Sequence, residues 1–243
     1  MTQKSKKELE PVEEKKSLVA PTKKEAGYEL SREDIQLPSA LLMQDKSPQV
    51  KEEADVVAGM IINSLTKKPI GEYFIPLGWK KVWIRKNAKT AKEPGFDPNF
   101  APEAVMYKCS DVRDPRVIAD KEWGSTGDKP LATEYIQVLA YFPGDVLPTN
   151  ISFCKSSLKH GKNFLTNAGL MKQGQPYEYR YKVVSKEVTS KEGHTYFEIL
   201  TQDAGKSSEE ERNIAKNLRK VFDMSKDLNI HEEVGDSADP VQD

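Results

Sequence analysis

The sequence predicts a β-rich α+β fold: one strand-dominated domain over residues 27–226 with accessory helices, a long insertion at 87–130 and disordered termini. Three observations carry this expectation. Alternating apolar and polar residues recur between Val56 and Thr201, the period-two pattern of half-buried strands. One long amphipathic helical pattern, 208–224, follows them. The two ends, 1–26 and 227–243, hold charge without apolar periodicity, so they cannot bury enough surface to offset the entropy of ordering.

Composition bounds the rest. The 243 residues are 37% hydrophobic and 31% charged, enough for one core with part of the chain unpacked. No run approaches the ~20 apolar residues of a bilayer span, and Lys4, Lys6 and Lys7 are not followed by an apolar segment. A soluble, cytoplasmic protein without membrane contact is expected. Cys109 and Cys154 stand 45 positions apart, which gives no disulfide framework and suits a reducing compartment. The net charge of −1 is unevenly spread: −6 on 227–243, +2 on 1–26 and therefore +3 on 27–226. A mildly basic body carries an acidic tail.

Taken in order, structure is expected to begin near Ile35-Gln36-Leu37-Pro38, with Leu41, Leu42 and Met43 as the first apolar cluster and a possible helix after Pro48. Met60-Ile61-Ile62, the polar turn Asn63–Pro69 and the run Ile70–Leu77 predict a hairpin. Residues 79–86 continue as a strand with Trp79, Lys81, Trp83 and Arg85 on one face. The insertion is rich in Pro, Gly, Asp and Asn, and only Ala104–Lys108 resembles a strand. Glu134–Phe142 predicts a central strand and Ile151–Phe153 a short one. A helix N-capped by Ser156 or Ser157 runs through Leu158, Phe164 and Leu165 to Gly169 as its C′ residue, weakened by Gly161. Tyr177–Ser185 and Thr195–Thr201 predict a hairpin about Ser190–Gly193. The final helix has a capping box, Ser208 with Glu211, and an apolar face of Ile214, Leu218, Val221 and Phe222.

Several chemistries find no support. Gly161-Lys162 and Gly205-Lys206-Ser207 both fail the phosphate-loop pattern. His160, His194 and His231 lack metal-ligand spacing, and Cys154 with His160 is too small a set for zinc. Asp111, Asp114 and Asp120 read either as a solvated loop or as Mg²⁺ ligands of a nuclease. No nucleophile–base arrangement stands out, so neither an enzyme nor a cofactor is expected.

The coherent set is aromatic and basic, the residue types that stack on bases and meet phosphates. Trp79, Lys81, Trp83 and Arg85 form one stripe, although its tryptophans can equally pack into the core. Lys155, Lys159 and Lys162 are spaced four and three apart within 151–182, a segment of net charge +5. Tyr177, Tyr179 and Tyr181 alternate with Glu178, Arg180 and Lys182; core packing is the stronger reading of the tyrosines, a stacking platform the other.

This order of elements resembles the small single-stranded DNA-binding proteins of bacteriophages, which are built on an OB-like barrel. The likeness rests on the Gly59–Gly71 hairpin with Asn63-Ser64-Leu65-Thr66, the aromatic-basic strand after it, Ser156-Ser157-Leu158-Lys159 with Gly161-Lys162, the last hairpin and the acidic tail. It covers about residues 35–243. It implies sequence-independent binding of single-stranded DNA in a basic groove during phage replication or recombination. It also implies an acidic tail that competes for the groove or recruits replication or recombination proteins. The expected interface is Trp79, Lys81, Trp83, Arg85, Lys155, Lys159, Lys162, Tyr177, Tyr179 and Arg180. The rival readings are a non-catalytic protein-interaction or virion-assembly component and, third, the Mg²⁺-dependent nuclease.

Overall fold

A computed structural model describes residues 36–124 and 129–222; the expected disordered tail 1–26, Ile35, the end of the last helix and the acidic tail 227–243 lie outside the described residues. Along the chain the elements are β1 (Ala40–Leu42), α1 (Pro48–Glu52), β2 (Ile61–Asn63), β3 (Tyr73–Lys86), β4 (Val105–Cys109), α2 (Pro115–Asp120), β5 (Ala132–Tyr141), β6 (Thr149–Cys154), α3 (Leu158–Thr166), β7 (Tyr179–Thr189), β8 (Thr195–Lys206) and α4 (Glu209–Val221). The protein is β-rich and antiparallel, with a few helices. A two-stranded ribbon, β1-β2, accompanies a six-stranded sheet in the order β6-β5-β3-β7-β8, with β4 also paired to β3.

Strand β3 unites two runs that the sequence separates, Ile70–Leu77 and 79–86, through an irregularity between Pro76 and Gly78. Pro76 has no N–H to give the ladder, and a bulge is where a strand tolerates this. One edge of β3 pairs with β5 from Ile75 to Arg85. The other is divided between β7, at Tyr73 and Phe74, and β4, from Trp83 to Lys86. The expected hairpin about residues 63–69 forms only in part: β2 pairs back to β1, and a single bridge, Ile62 to Pro69, crosses the turn. Asn63 Oδ1 accepts from the N–H groups of Leu65 and Thr66 at 2.9 and 3.1 Å, which tightens the reversal. The bonds from Asn63 N to Lys68 O at 2.8 Å and from Ile70 N to Ile61 O at 3.1 Å flank Pro69, which needs no N–H at this position.

The sheet does not close into the expected barrel, because β6 and β8 do not pair. Side chains cap the edge of β8 instead. The Gln44 amide donates to Phe197 O at 3.0 Å and accepts from Phe197 N at 2.8 Å, and Ser157 Oγ accepts from Ile199 N at 3.0 Å. Edge groups that would otherwise recruit a strand are thereby satisfied.

The core beneath α3 gathers Phe74, Ile136, Val138, Phe142, Ile151, Phe153, Phe164, Tyr181 and Ile199. Phe164 is its hub, with ring centroids 5.0 Å from Tyr181, 5.9 Å from Trp79, 6.0 Å from Phe74 and 6.4 Å from Phe153. Gly161 allows this approach: a Cβ there would lie 2.6 Å from Phe153 Cβ. Ser157 bonds β8 and makes no side-chain cap to α3, which grows from a 3₁₀ turn at Lys155–Ser157. Gly169 is not a C′ residue but part of the π-helical turn Asn167–Met171, against the Trp79 ring.

The insertion is more ordered than expected. Buried Asn87 holds its first loop, donating to the carbonyls of Asp97, Phe100 and Ala101 and accepting from Asp97 N. Helix α2, absent from the sequence expectation, brings in the fully buried Val117. Its signal was present: Asp114 caps it through Arg116 N, and Pro115 occupies its first turn. Helix α4 forms with the expected capping box. Its buried line centres on Ala215 and Phe222, leaving Val221 42% exposed, because successive residues are turned by about 100°.

Glu198 fastens α3 to β8. Its carboxylate is 1% exposed and accepts from Lys159 Nζ at 3.0 Å and His160 Nε2 at 2.8 Å. Burial alone would raise its pKa, but the bonds from His160 and Lys159 outweigh that and hold the carboxyl below the usual range.

Two outcomes are expected. Gly161→Ala forces apart two backbone-anchored atoms, at about 1–3 kcal/mol, and lowers the urea midpoint with unchanged slope; a raised midpoint would show that α3 can back away. For Glu198, a folded pKa below the unfolded value stabilises above roughly pH 4.3 and loses that contribution as pH falls through the folded pKa. The melting-temperature gap between wild type and Glu198→Gln should therefore be full near neutrality and narrow on acidification; a gap independent of pH would contradict the linkage.

Candidate nucleic-acid interface

Register on β5 decides what becomes of the stripe. Trp79 stands opposite Val138, Lys81 opposite Ile136, Trp83 opposite Glu134 and Arg85 opposite Ala132, so all four share the α3-side face of the sheet. Their environments diverge along the strand. Trp79 turns edge-on to Phe164 and joins the core, the packing alternative for that ring. Arg85 Nη1 donates to both oxygens of Asp120 at 3.1 and 2.9 Å, which ties the insertion to β3. Between them Trp83 is half-buried and Lys81 is exposed.

Glu134 is the partner that sequence reasoning missed. Lys81 Nζ lies 3.7 Å from its Oε1 and Lys162 Nζ, from α3, 3.2 Å from its Oε2. One carboxylate thus gathers two lysines, whose side chains are 47% and 52% exposed, directly across the ladder from Trp83. Only the non-local register of β3 on β5, and of α3 on both, reveals this.

The other expected residues are placed elsewhere. Lys159 serves Glu198. Lys155, with φ +48°, sits in the 3₁₀ turn before α3 and does not extend the line of Lys159 and Lys162. Tyr177 belongs to a 3₁₀ turn, Pro176–Glu178, rather than to β7, with the Arg219 guanidinium over its ring. Tyr179 is half-buried; its hydroxyl donates to Gln173 O at 2.7 Å, and Lys172 lies over its ring. Arg180 lies over Tyr73 and 3.8 Å from Glu211, at the opposite end of β3 from Trp83, about 30 Å along the strand. Tyr181 is buried in the core. Of the tyrosine row, Tyr181 is in the core, Tyr179 packs against it and Tyr177 lies outside it in the turn beneath Arg219.

The acids of the insertion are each engaged locally. Asp111 accepts from Arg113 N, and Asp114 accepts from Arg116 N and from the Arg116 side chain. The side-chain and backbone bonds from Arg116 hold the Asp114 carboxyl well below the usual range. Tyr107 donates to Asp120 at 2.9 Å, and burial followed by that bond pushes the phenol upward. Among the described residues, no three His, Cys, Asp or Glu side chains gather to hold a metal ion, and no helix is long and apolar enough to cross a membrane.

No curated protein and no solved structure matches the chain. The family model described as the Pam3 phage gp34-like protein matches residues 12–228. That span takes in every described element from β1 to α4, and the chain belongs to the Pam3 phage gp34-like family.

Proposed function

We propose that this phage-family protein binds single-stranded DNA without sequence preference, in the host cytoplasm, through Trp83, Lys81 and Lys162. The observation that carries the reading is the half-buried Trp83 directly across from Glu134, whose carboxylate gathers Lys81 and Lys162 at its two oxygens. A half-buried indole across the ladder from a carboxylate that holds two ammonium groups offers a stacking edge and two phosphate contacts.

Energetics separate these lysines from Lys159. Lys81 and Lys162 are half-exposed and Glu134 keeps only 21% of its side chain exposed. These pairs are partly screened, near the roughly 0–1 kcal/mol of surface pairs, and a phosphate would share the two lysines with Glu134 rather than displace it. The Lys159 pair differs, because removing the lysine would strand the buried Glu198 carboxylate. Lys159 is therefore assigned to structure and the other two to phosphate.

Topology supports an OB-like scaffold left open. Strands β3, β5 and β6, then α3, then β7 and β8 provide five antiparallel strands with one helix between the third and fourth, and partly open five-stranded barrels of this type bind oligonucleotides. Replication or recombination is the setting that suits the phage family. A second reading, docking to a partner protein during assembly, is favoured by Leu170 and Met171, adjacent and 83% and 72% exposed.

Fluorescence anisotropy with labelled oligo-dT, matched duplex and RNA at two salt concentrations tests the proposal. Single strands should bind in preference to duplex and weaken with salt. Trp83→Ala should cost about 1–3 kcal/mol. The Lys81→Ala, Lys162→Ala double variant should flatten the log–log salt slope by about 1.4, roughly 0.7 per lost phosphate contact. Absence of binding at low salt would sink the DNA reading and leave the docking one.

A further inference from the structure

A shallow cleft of about 360 Å³ opens between β4 and α2, lined by Arg85, Phe100, Met106, Tyr107, Arg116 and Asp120 among others. Its wall is already built. Tyr107 donates to Asp120 Oδ2 at 2.9 Å, with Arg116 O as the alternative acceptor at 3.1 Å, and Arg85 Nη1 donates to both Asp120 oxygens. The loop that carries Phe100 is pinned by Asn87, which donates to Phe100 O at 2.8 Å, yet the phenylalanine remains 39% exposed. The loop is ordered while its aromatic residue stays in water.

The lining chemistry fits a flat aromatic body that carries an anion. Phe100 supplies a ring face and Met106 a polarizable wall. Arg116 lies 5.1 Å over the Tyr107 ring with its side chain 61% exposed. Its Nε and Nη2 meet Asp114, leaving further N–H donors of the guanidinium facing other directions. Arg85 adds a second guanidinium, its Nη1 held by Asp120. The volume lies at the low end of the roughly 300–1,000 Å³ typical of ligand sites, sufficient for one nucleotide.

We propose that this cleft holds one nucleotide of the bound strand, its base stacked on Phe100 and its phosphate on Arg116. The inference rests on the single-strand reading above and extends the interface from the Trp83 platform into the insertion. The two surfaces are joined by Arg85, two residues beyond Trp83 on β3 and hydrogen-bonded to Asp120 of the cleft wall.

The test uses the full chain with labelled oligo-dT, the mononucleotide dTMP and ultraviolet crosslinking of an iodouracil-substituted strand. Phe100→Ala should weaken oligo-dT binding about tenfold, with Phe100→Tyr restoring it, as expected for one lost stack. Arg116→Gln should lower the salt slope by about 0.7. Crosslinks should fall within residues 100–107, and melting curves of the variants should match wild type. Wild-type binding that Trp83→Ala weakens but Phe100→Ala and Arg116→Gln leave unchanged, without crosslinks there, overturns the cleft and leaves the strand-binding reading intact. Binding of dTMP alone, lost in Phe100→Ala, assigns the cleft to a free nucleotide and overturns strand binding. Binding of neither overturns both.

Discussion

The seating of α3 on the sheet through Phe164 is the constraint on which the rest of the molecule depends. Four aromatic rings from β3, β6 and β7 meet that one side chain, and removal of a ring of this size from a core costs about 3–5 kcal/mol. The approach is possible because Gly161 presents no side chain to β6. Helix position then fixes the electrostatics: one turn carries Lys159 and His160 to Glu198, and the next brings Lys162 to Glu134. Lys159 and Lys162 are thus neighbours on the same helix, distinguished by how deeply their carboxylate partners are buried, 1% exposed for Glu198 and 21% for Glu134.

The strand stripe illustrates how position alters the role of similar residues. Trp79 and Trp83 are four residues apart on one face, yet the first packs beneath α3 and the second lies where cover is incomplete. Lys81 and Arg85 likewise meet carboxylates of different elements, one on the adjacent strand and one on the helix of the insertion. A basic surface read from composition alone is therefore mostly an ion-paired surface. Which of these pairs a charged ligand could open depends on how exposed each carboxylate is.

Much of the fold was legible because it is locally encoded. The β5 strand, the β7–β8 hairpin and the capped helix α4 are set by period-two runs, a turn with Gly193 at φ +84° and the reciprocal Ser208–Glu211 bonds. What escaped depends on distant partners or on a weighting of signals. The Pro76 irregularity hid the continuity of β3, and β2 found its partner upstream rather than downstream. Helix α2 was overlooked because its six residues lie in a segment whose Pro and Asp content reads as loop. The candidate residues are scattered by the fold rather than gathered into one surface. Trp83, Lys81 and Lys162 come together, whereas Tyr177, Tyr179 and Arg180 have contacts of their own, and Glu134, which organises the group, carries no local signal.

The edge of β8 has a consequence for the behaviour of the protein in a crowded cell. An amide side chain and a hydroxyl, from Gln44 and Ser157, occupy hydrogen-bonding positions that a further strand would otherwise fill. An invading strand would have to displace three formed bonds before gaining its own, so this open sheet is guarded against templated self-association without being closed. The sheet can therefore stay open between β6 and β8 without offering that edge as a seed for polymerisation.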